Sequence, residues 1–242
     1  MNIYVVSLTS SLTRRERITN QLNKAKIDFE FFDAINAHEP SFLYSEKANP
    51  SLTFKRKGYY LKPGEIACFA SHYSLWLKCR QLNQPIVILE DNVDLADVTP
   101  NILATLLNEA DHFHYIKLAA TFVSPFTPIK TIDDTFAIGQ YRKKSCGTTA
   151  YIISPQAAEQ LIKQAHSFIE PVDDYLEKPW RHGIKTYSVF PALFHRAQVA
   201  STINSASVKR KEKKNLTLMH KVYVECYRAL ESVLRLLYWK HT

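Results

Sequence analysis

Short apolar runs and helix-spaced apolar positions alternate at the start of the chain. Residues 2–8 and 28–33 are rich in β-branched and aromatic residues, which predicts two strands. Between them Ile18, Leu22 and Ala25 recur at helical spacing. The N-terminal part is therefore predicted to be a strand–helix–strand unit, with which a parallel α/β sheet typically begins.

The clearest strand signal is the run 86–89, four consecutive apolar residues of which three are β-branched. Such a run is typical of a strand buried on both faces. Directly after it stand Glu90, Asp91 and Asp94, with Asn92 between them. Carboxylates this close repel one another unless a cation or hydrogen-bond donors offset their charge. Ligand crevices of open α/β sheets lie beyond the carboxyl ends of strands. The cluster therefore predicts a site for Mg²⁺ or Mn²⁺ with a bound diphosphate. Alternatively, the cluster is an acidic turn that only ends the strand.

Further elements follow from the same two patterns. They are helices over 63–82, 102–107 and 155–162, strands over 113–118, 136–141, 151–153 and 185–190, and a helix that begins near Asp173. Residues 36–61 show no clear period and are predicted to be a long irregular loop, which in a compact domain is often functional. The whole pattern predicts an α/β domain over residues 1–207, with a mixed, mainly parallel sheet flanked by helices.

Beyond residue 207 the chain changes character. Five of the six residues 209–214 are Lys or Arg, which predicts a solvated linker, and apolar residues then recur three and four apart from Met219 to Leu237. A basic segment followed by an amphipathic helix suits reversible attachment to a membrane surface. A helix that packs on its own domain or pairs in a homodimer has the same pattern.

The net charge of +8 is concentrated in this tail. Residues 208–242 contain nine Lys or Arg and three Glu, a net of +6, so the preceding 207 residues carry only +2. A nucleic-acid-binding protein usually carries its positive stripe on the folded domain. The distribution of charge therefore argues against a nucleic-acid partner.

The cysteines and the apolar runs bear on the compartment. Cys68, Cys79, Cys146 and Cys226 show neither close pairing nor the spacing of metal ligands, so free thiols are expected. Free thiols indicate a reducing compartment. The start of the chain lacks the order of a signal peptide, and no apolar run is long enough to span a bilayer. The expected location is the cytoplasm, with the tail as a possible peripheral contact on the inner face of the membrane.

Four stretches in sequence order carry a family resemblance. They are Val-Ser-Leu at 6–8 through the two arginines at 14–15, Gly-Glu-Ile-Ala-Cys…Ser-His within 61–72, Leu-Glu-Asp-Asn-Val at 89–93, and Gly-Thr-Thr-Ala-Tyr at 147–151 with Pro-Val-Asp-Asp-Tyr-Leu at 171–176. Together they resemble glycosyltransferase family 25, the bacterial lipopolysaccharide and lipooligosaccharide transferases related to collagen galactosyltransferases. The likeness extends over about residues 2–203. Two positions depart from the family pattern, because Asn92 replaces its third acid and Ala67 replaces a glycine.

The resemblance implies a fold, an activity and a site. The fold would be of the GT-A type, and the enzyme would move a hexose, most often galactose, from a UDP-sugar to a lipid-borne saccharide acceptor with inversion and with Mn²⁺ or Mg²⁺. Donor binding would fall to Ser7, Leu8, Arg14, Arg15, Asp33, Glu65, His72, Glu90 and Gly147. The metal would be held by Asp91, Asn92 and His195. The general base would be Asp173 or Asp174, with Asp173 preferred because it matches the family block most closely.

Plain structural roles remain open for several of these residues. Arg14 and Arg15 could be solvated charges of a first helical turn, Glu65 could complement a helix dipole, Gly147 could begin a strand, His195 could be an ordinary surface or core histidine, and Asp173 and Asp174 could cap a helix. Two functional alternatives also remain open. One is transfer of glucose or an N-acetylhexosamine, and the other is a degenerate, non-catalytic protein that binds saccharide or nucleotide.

Overall fold

The secondary structure comes from a computed structural model that describes residues 1–96, 98–122, 124–143, 145, 147–198 and 216–240. The strands in these residues are β1 (Ile3–Ser7), β2 (Glu30–Asp33), β3 (Ile86–Glu90), β4 (Val93–Leu95), β5 (Tyr115–Lys117), β6 (Phe126–Thr131), β7 (Ala137–Tyr141), β8 (Ala150–Ile153), β9 (Tyr187–Phe190) and β10 (Phe194–Arg196). The helices are α1 (Leu12–Lys24), α2 (Pro50–Lys57), α3 (Pro63–Leu82), α4 (Pro100–Asn108), α5 (Ala110–Phe113), α6 (Pro155–Gln164), α7 (Val172–Leu176), α8 (Pro179–His182) and α9 (Leu218–Lys240).

One eight-stranded sheet holds the fold together, in the order β2-β1-β3-β8-β5-β9-β7-β6. Only β7 and β8 run antiparallel to both of their neighbours, so six of the eight strands point the same way. This confirms the predicted mixed, mainly parallel α/β sheet. The short strands β4 and β10 form a separate antiparallel pair.

Strand β3 lies at the centre of the sheet and feeds both layers of the core. Val87 and Leu89 pack in the cluster beneath α1 and α4, whereas Ile86 and Ile88 pack in the cluster beneath α3 and α6. All four side chains are fully buried. Successive residues of a strand point to opposite faces, so an uninterrupted apolar run is what a strand covered on both sides requires.

The connections place a crevice between β1 and β3. The chain leaves β1 through α1 and enters β2, which pairs with one side of β1. It later returns through α3 and enters β3, which pairs with the other side of β1. Because the strand order reverses here, the carboxyl ends of β1 and β3 border the position at which open α/β sheets bind their ligands.

The predicted loop over 36–61 is wrong in its second half, where α2 forms. Asn49 accepts a hydrogen bond from the backbone N–H of Leu52 (2.9 Å), Pro50 begins the helix, and Gly58 ends it in the left-handed region at φ 74°. These are ordinary start and stop signals. With only eight residues, α2 shows no strong apolar period by which it could be recognised.

Strands β4, β6 and β10 and the short helices α5 and α8 were not predicted either. Strand β6 is a mostly exposed edge strand without apolar alternation, and β10 has three residues. The remaining predicted elements are present, with bounds shifted by a few residues. Cys68, Cys79 and Cys226 are free, whereas Cys146 lies outside the described residues.

Helix α9 packs against α2 and α8 of the domain. The predicted linker 209–214 and the boundary after residue 207 lie outside the described residues. In the part of the chain that the structure describes, none of the helices has the length and apolar character needed to cross a bilayer.

Candidate active site

A cavity of about 270 Å³ opens at the carboxyl ends of β1 and β3. The first turns of α3, the segment before β8 and the start of α7 complete its wall. Ten of the predicted site residues line it, namely Ser7, Leu8, Arg14, Glu65, His72, Glu90, Asp91, Asn92, Gly147 and Asp173. Residues that are far apart in sequence therefore meet at the predicted edge of the sheet.

Asp91 is the best-anchored acid of the cavity. Its Oδ2 accepts a hydrogen bond from Ser7 Oγ (2.7 Å), and its Oδ1 accepts one from Arg14 Nη1 (2.8 Å). The side chains of Asp91 and Arg14 are both mostly buried, so the pair is screened little by solvent. The arrangement fixes the Arg14 guanidinium at the wall of the cavity.

Glu90 faces the same cavity in a different environment. Its Oε1 accepts a hydrogen bond from Thr148 Oγ1 (2.5 Å). Burial raises the pKa of Glu90, and hydrogen bonds from Thr148 and Asn92 together with the charge of Arg196 oppose that rise. The carboxylate of Asp173 pushes this pKa further up, so Glu90 and Asp173 influence each other across the cavity.

His72 is a neutral hydrogen-bond donor aimed at Glu90. Trp76 Nε1 donates to the hydroxyl of Tyr151 (3.0 Å), and that hydroxyl lies 2.8 Å from His72 Nδ1. An indole N–H can only donate, so the tyrosine oxygen accepts there and its hydroxyl can donate to His72 Nδ1. In the tautomer that accepts this hydrogen bond, the ring proton of His72 is on Nε2, which lies 3.8 Å from Glu90 Oε1 and has no hydrogen-bond partner among the described residues.

Acid is expected to destabilise the fold through two buried histidines. Burial lowers the pKa of His72 to about 4 and the pKa of His182 to about 4. Histidine in the unfolded chain titrates near 6.5, so the unfolded state binds more protons as the pH falls from 6.5 towards 4, and stability is lost over that range. From pH 7 to pH 5 each histidine is expected to remove about 2 kcal/mol of unfolding free energy, which urea titrations at the two pH values measure.

His182→Gln provides the control, because it removes one of the two titrating groups. About half of the loss between pH 7 and pH 5 is expected to remain in this variant. Burial raises the pKa of Glu170, but the charges of Lys178 and Lys57 outweigh it and lower that pKa to about 2. Its stabilisation is therefore lost only at still lower pH. An unchanged pH dependence in His182→Gln would show that other groups cause the loss.

The sequence comparisons agree with this geometry. The profile of Glycosyltransferase family 25 (LPS biosynthesis protein) matches residues 1–176, which include β1, β3, α3 and Asp173. The chain belongs to glycosyltransferase family 25. The family prediction made from the four sequence stretches is thus confirmed.

Three relatives illustrate the similarity. The chain is 32% identical over 173 residues to the lipooligosaccharide biosynthesis protein lic2B of Haemophilus influenzae. This aligned stretch covers 65% of this chain and 61% of that protein. It is 29% identical over 207 residues to the lacto-N-neotetraose biosynthesis glycosyltransferase LgtE of Neisseria gonorrhoeae, covering 80% and 73%. It is 26% identical over 204 residues to the procollagen galactosyltransferase 1-B of Xenopus laevis, and the alignment covers 77% of this chain and 32% of that protein. The chain therefore spans between a third and three quarters of the length of these relatives.

Arg15 and Asp33 lie beside the cavity of this family 25 member and do not line it. They form an ion pair with each other, and Arg15 also donates to the carbonyl oxygens of Ser7 (2.8 Å) and Leu8 (3.1 Å). The guanidinium stands 4.6 Å from the ring centre of Phe31. These contacts tie the ends of β1 and β2 together, so the position of the pair supports a structural role.

His195 and Asp174 also lie outside the cavity wall, so the structure does not bring them together with the other predicted site residues. His195 is exposed on β10 opposite Asp94, whereas its neighbour Arg196 lines the cavity. Adjacent residues of a strand point to opposite faces, so the side chain of Arg196 reaches the site and that of His195 does not. Asp174 is partly exposed and does not line the cavity, whereas its neighbour Asp173 does.

The predicted metal set of Asp91, Asn92 and His195 is not assembled. In the described ranges no three His, Cys, Asp or Glu side chains are placed to hold a metal ion, and both oxygens of Asp91 accept hydrogen bonds. Unlike the Asp91 oxygens, Asn92 Oδ1 is buried without a hydrogen-bond partner in the described part of the chain. The residues therefore fit a divalent cation only if most of its ligands come from a bound substrate.

Two predicted residues have clear structural duties as well. Glu65 Oε2 accepts a hydrogen bond from the backbone N–H of Lys62 (2.9 Å), which closes the N-terminus of α3. Gly147 has φ 79°, and a Cβ there would lie 2.6 Å from Thr121 Oγ1. Only glycine fits that backbone. Both residues line the cavity, and their predicted contacts with the donor stay predictions.

Sequence reasoning missed Arg196, Thr148 and the segment 34–38, all of which line the cavity. Thr148 follows Gly147 within a stretch already recognised as family-like. Segment 34–38 follows β2 and therefore lies at the same edge of the sheet. Arg196 carried no comparable signal, since β10 itself was not predicted.

Proposed function

We propose that the chain transfers a hexose, with galactose as the first candidate, from a UDP-sugar to a lipopolysaccharide or lipooligosaccharide saccharide, with inversion at the anomeric carbon. The observation that carries the proposal is the convergence of the Ser7–Asp91–Arg14 unit with Glu90 and Asp173 in one cavity at the β1–β3 crevice. Family membership and relatives described as lipooligosaccharide biosynthesis proteins and procollagen galactosyltransferases support the substrate class. A GT-A type domain is consistent with the sheet.

Departure of the nucleotide requires positive charge near the diphosphate. Negative charge develops on the leaving oxygen as the sugar bond breaks, and fixed cations that face it lower the barrier. Arg14, held by Asp91, and Arg196 both line the cavity. We assign them to the diphosphate.

Asp173 is the better candidate for the general base. Both oxygens of Asp91 are engaged by Ser7 and Arg14, and Glu90 Oε1 accepts a hydrogen bond from Thr148 Oγ1. Asp173 lines the cavity at the start of α7. In the proposed step Asp173 takes the proton of the acceptor hydroxyl while that oxygen bonds to the anomeric carbon and UDP leaves. Glu90 and the Nε2–H of His72 are assigned to hydroxyl groups of the donor sugar.

A divalent cation, Mn²⁺ or Mg²⁺, enters the proposal as a companion of the donor. Mg²⁺ commonly binds through one or two protein ligands and substrate phosphates. Here Asn92 Oδ1 is the available protein oxygen. When bound, the cation would neutralise charge on the diphosphate. An amide oxygen carries no net charge, so a weak dependence on Mn²⁺ is expected.

Replacing Asn92 by Asp is expected to strengthen Mn²⁺ binding in the presence of UDP by at least about tenfold, because a carboxylate adds a full negative charge next to the cation. Calorimetric titration of Mn²⁺ into the UDP-saturated protein measures this. Asn92→Ala, which removes the oxygen, is the matched control and is expected to abolish the effect of Mn²⁺ on UDP affinity. Equal Mn²⁺ affinity in all three proteins would exclude Asn92 as a ligand.

A donor screen tests the function as a whole. UDP-galactose, UDP-glucose, UDP-N-acetylglucosamine and UDP are each added in a thermal unfolding experiment, since a ligand that binds only the folded state raises its stability. UDP-galactose is expected to give the largest shift and to release UDP when a truncated lipooligosaccharide is added. Stabilisation without UDP release from any donor would favour a non-catalytic binding protein, and a larger shift with another sugar would reassign the donor.

A further inference from the structure

Helix α9 is held on the domain by one face. Val224 is 3% exposed and lies over Gly58 at the end of α2, and His220 Nε2 lies 3.0 Å from the carbonyl oxygen of Phe54. Farther along the helix, Lys178 Nζ donates to both carboxylate oxygens of Glu231 (2.5 and 2.7 Å). These contacts fix the rotation of α9 about its own axis.

The opposite face of α9 is apolar and exposed. At 3.6 residues per turn, its members fall in a sector of about 120° centred opposite Val224. Between Leu218 and Leu237 none of them is charged, and Met219 is 85% exposed and Leu236 70%. They are Leu218, Met219, Val222, Cys226, Ala229, Leu230, Val233, Leu236 and Leu237. We call this set the apolar sector.

The apolar repeat seen in the sequence therefore does not explain how α9 binds its own domain. A continuous exposed apolar strip of this size is unusual for a surface that faces only water. It indicates that something covers the strip.

Positive charge borders the apolar sector on both sides. Lys221 and Arg228 lie along one margin of α9, and Glu225 on that margin is paired with Arg228 (2.5 Å). On the other margin Lys55 and Arg56 of α2 lie over the rings of Tyr223 and Tyr227, at 5.5 and 5.2 Å. The segment 209–214, which precedes the helix in sequence, adds five more Lys or Arg.

We propose that α9 seats the protein on an anionic lipid bilayer. The apolar sector would enter the boundary between headgroups and acyl chains, and the bordering Lys and Arg would contact acidic headgroups. A second copy of the chain fits this surface less well, because a twofold pairing of the sectors brings cationic margins together. The proposal does not depend on the proposed function.

Vesicle flotation of the full chain tests the proposal. Vesicles of phosphatidylcholine with one quarter phosphatidylglycerol are expected to bind the protein at least about tenfold more tightly than phosphatidylcholine alone, and raising the salt from 0.1 to 0.5 M is expected to weaken this binding. Equal binding to the two vesicle types, or none to either, would overturn the proposal.

A charge placed inside or outside the sector provides the matched comparison. Val233→Glu puts a carboxylate within the apolar sector, and Ser232→Glu adds the same charge on the neighbouring margin, at a residue that is also exposed. Val233→Glu is expected to reduce vesicle binding at least about tenfold and Ser232→Glu by less than about threefold, with circular dichroism and the melting temperature unchanged in both. Sedimentation that shows a dimer broken by Val233→Glu, with no vesicle binding by the parent chain, would assign the sector to a second copy.

Discussion

Asp173→Asn is expected to lower the turnover number for hexose transfer by about 10²–10⁴-fold, the usual contribution of a positioned general base. The amide keeps the size of the side chain but accepts no proton. Affinity for UDP is expected to change by less than about threefold, because the assigned diphosphate contacts come from Arg14 and Arg196. Steady-state kinetics with the donor identified in the screen, together with UDP titration, separate the two effects.

The neighbouring residue provides the control. Asp174 has the same charge, lies on the same helix and does not line the cavity. Asp174→Asn is expected to keep turnover within about threefold of the parent, as most substitutions outside a site do. If Asp174→Asn lost as much activity as Asp173→Asn, the assignment of the base would be wrong.

Asp91→Asn is expected to reduce kcat/KM by at least about 10²-fold and to weaken UDP binding as well. The carboxylate holds Arg14 at 2.8 Å and accepts from Ser7 at 2.7 Å. An amide in its place no longer offsets the charge of Arg14 and donates through one of its two terminal atoms, so the guanidinium loses the position assigned to the diphosphate. Kinetics and calorimetric UDP titration measure the loss.

Asp94→Asn is the matched control for Asp91→Asn. Asp94 belongs to the same acidic cluster but forms an ion pair with Arg17, outside the cavity, and about half of its side chain is exposed. Its replacement is expected to alter kcat/KM by less than about threefold, since exposed ion pairs contribute little. Comparable losses in the two variants would indicate that the cluster acts through folding. Urea unfolding of both proteins distinguishes these cases.

The edge of the sheet and ten of the residues that line the cavity could be predicted from sequence because their signals are local. An apolar run buried on both faces marks β3, and the acids that follow it must then lie at the carboxyl edge. The family-like stretches added Arg14, His72, Gly147 and Asp173, all of which line the cavity. Their roles in binding and catalysis remain predictions.

The sequence was insufficient where tertiary structure decides. His195 and Arg196 are adjacent, and only the pairing of β10 with β4 determines which of them faces the site. The apolar repeat of α9 predicted an amphipathic helix but not the direction of its apolar face, which follows from the contacts of Val224 and Glu231. The hydrogen-bond chain from Trp76 through Tyr151 to His72 joins residues up to 79 positions apart. No local pattern contains that information.

A crystal structure of the protein with UDP tests the assignment of the site most directly. The nucleotide is expected to occupy the β1–β3 cavity, with its diphosphate within hydrogen-bond distance of the guanidinium groups of Arg14 and Arg196. A nucleotide bound elsewhere, or a cavity without one when UDP is saturating, would contradict the assignment.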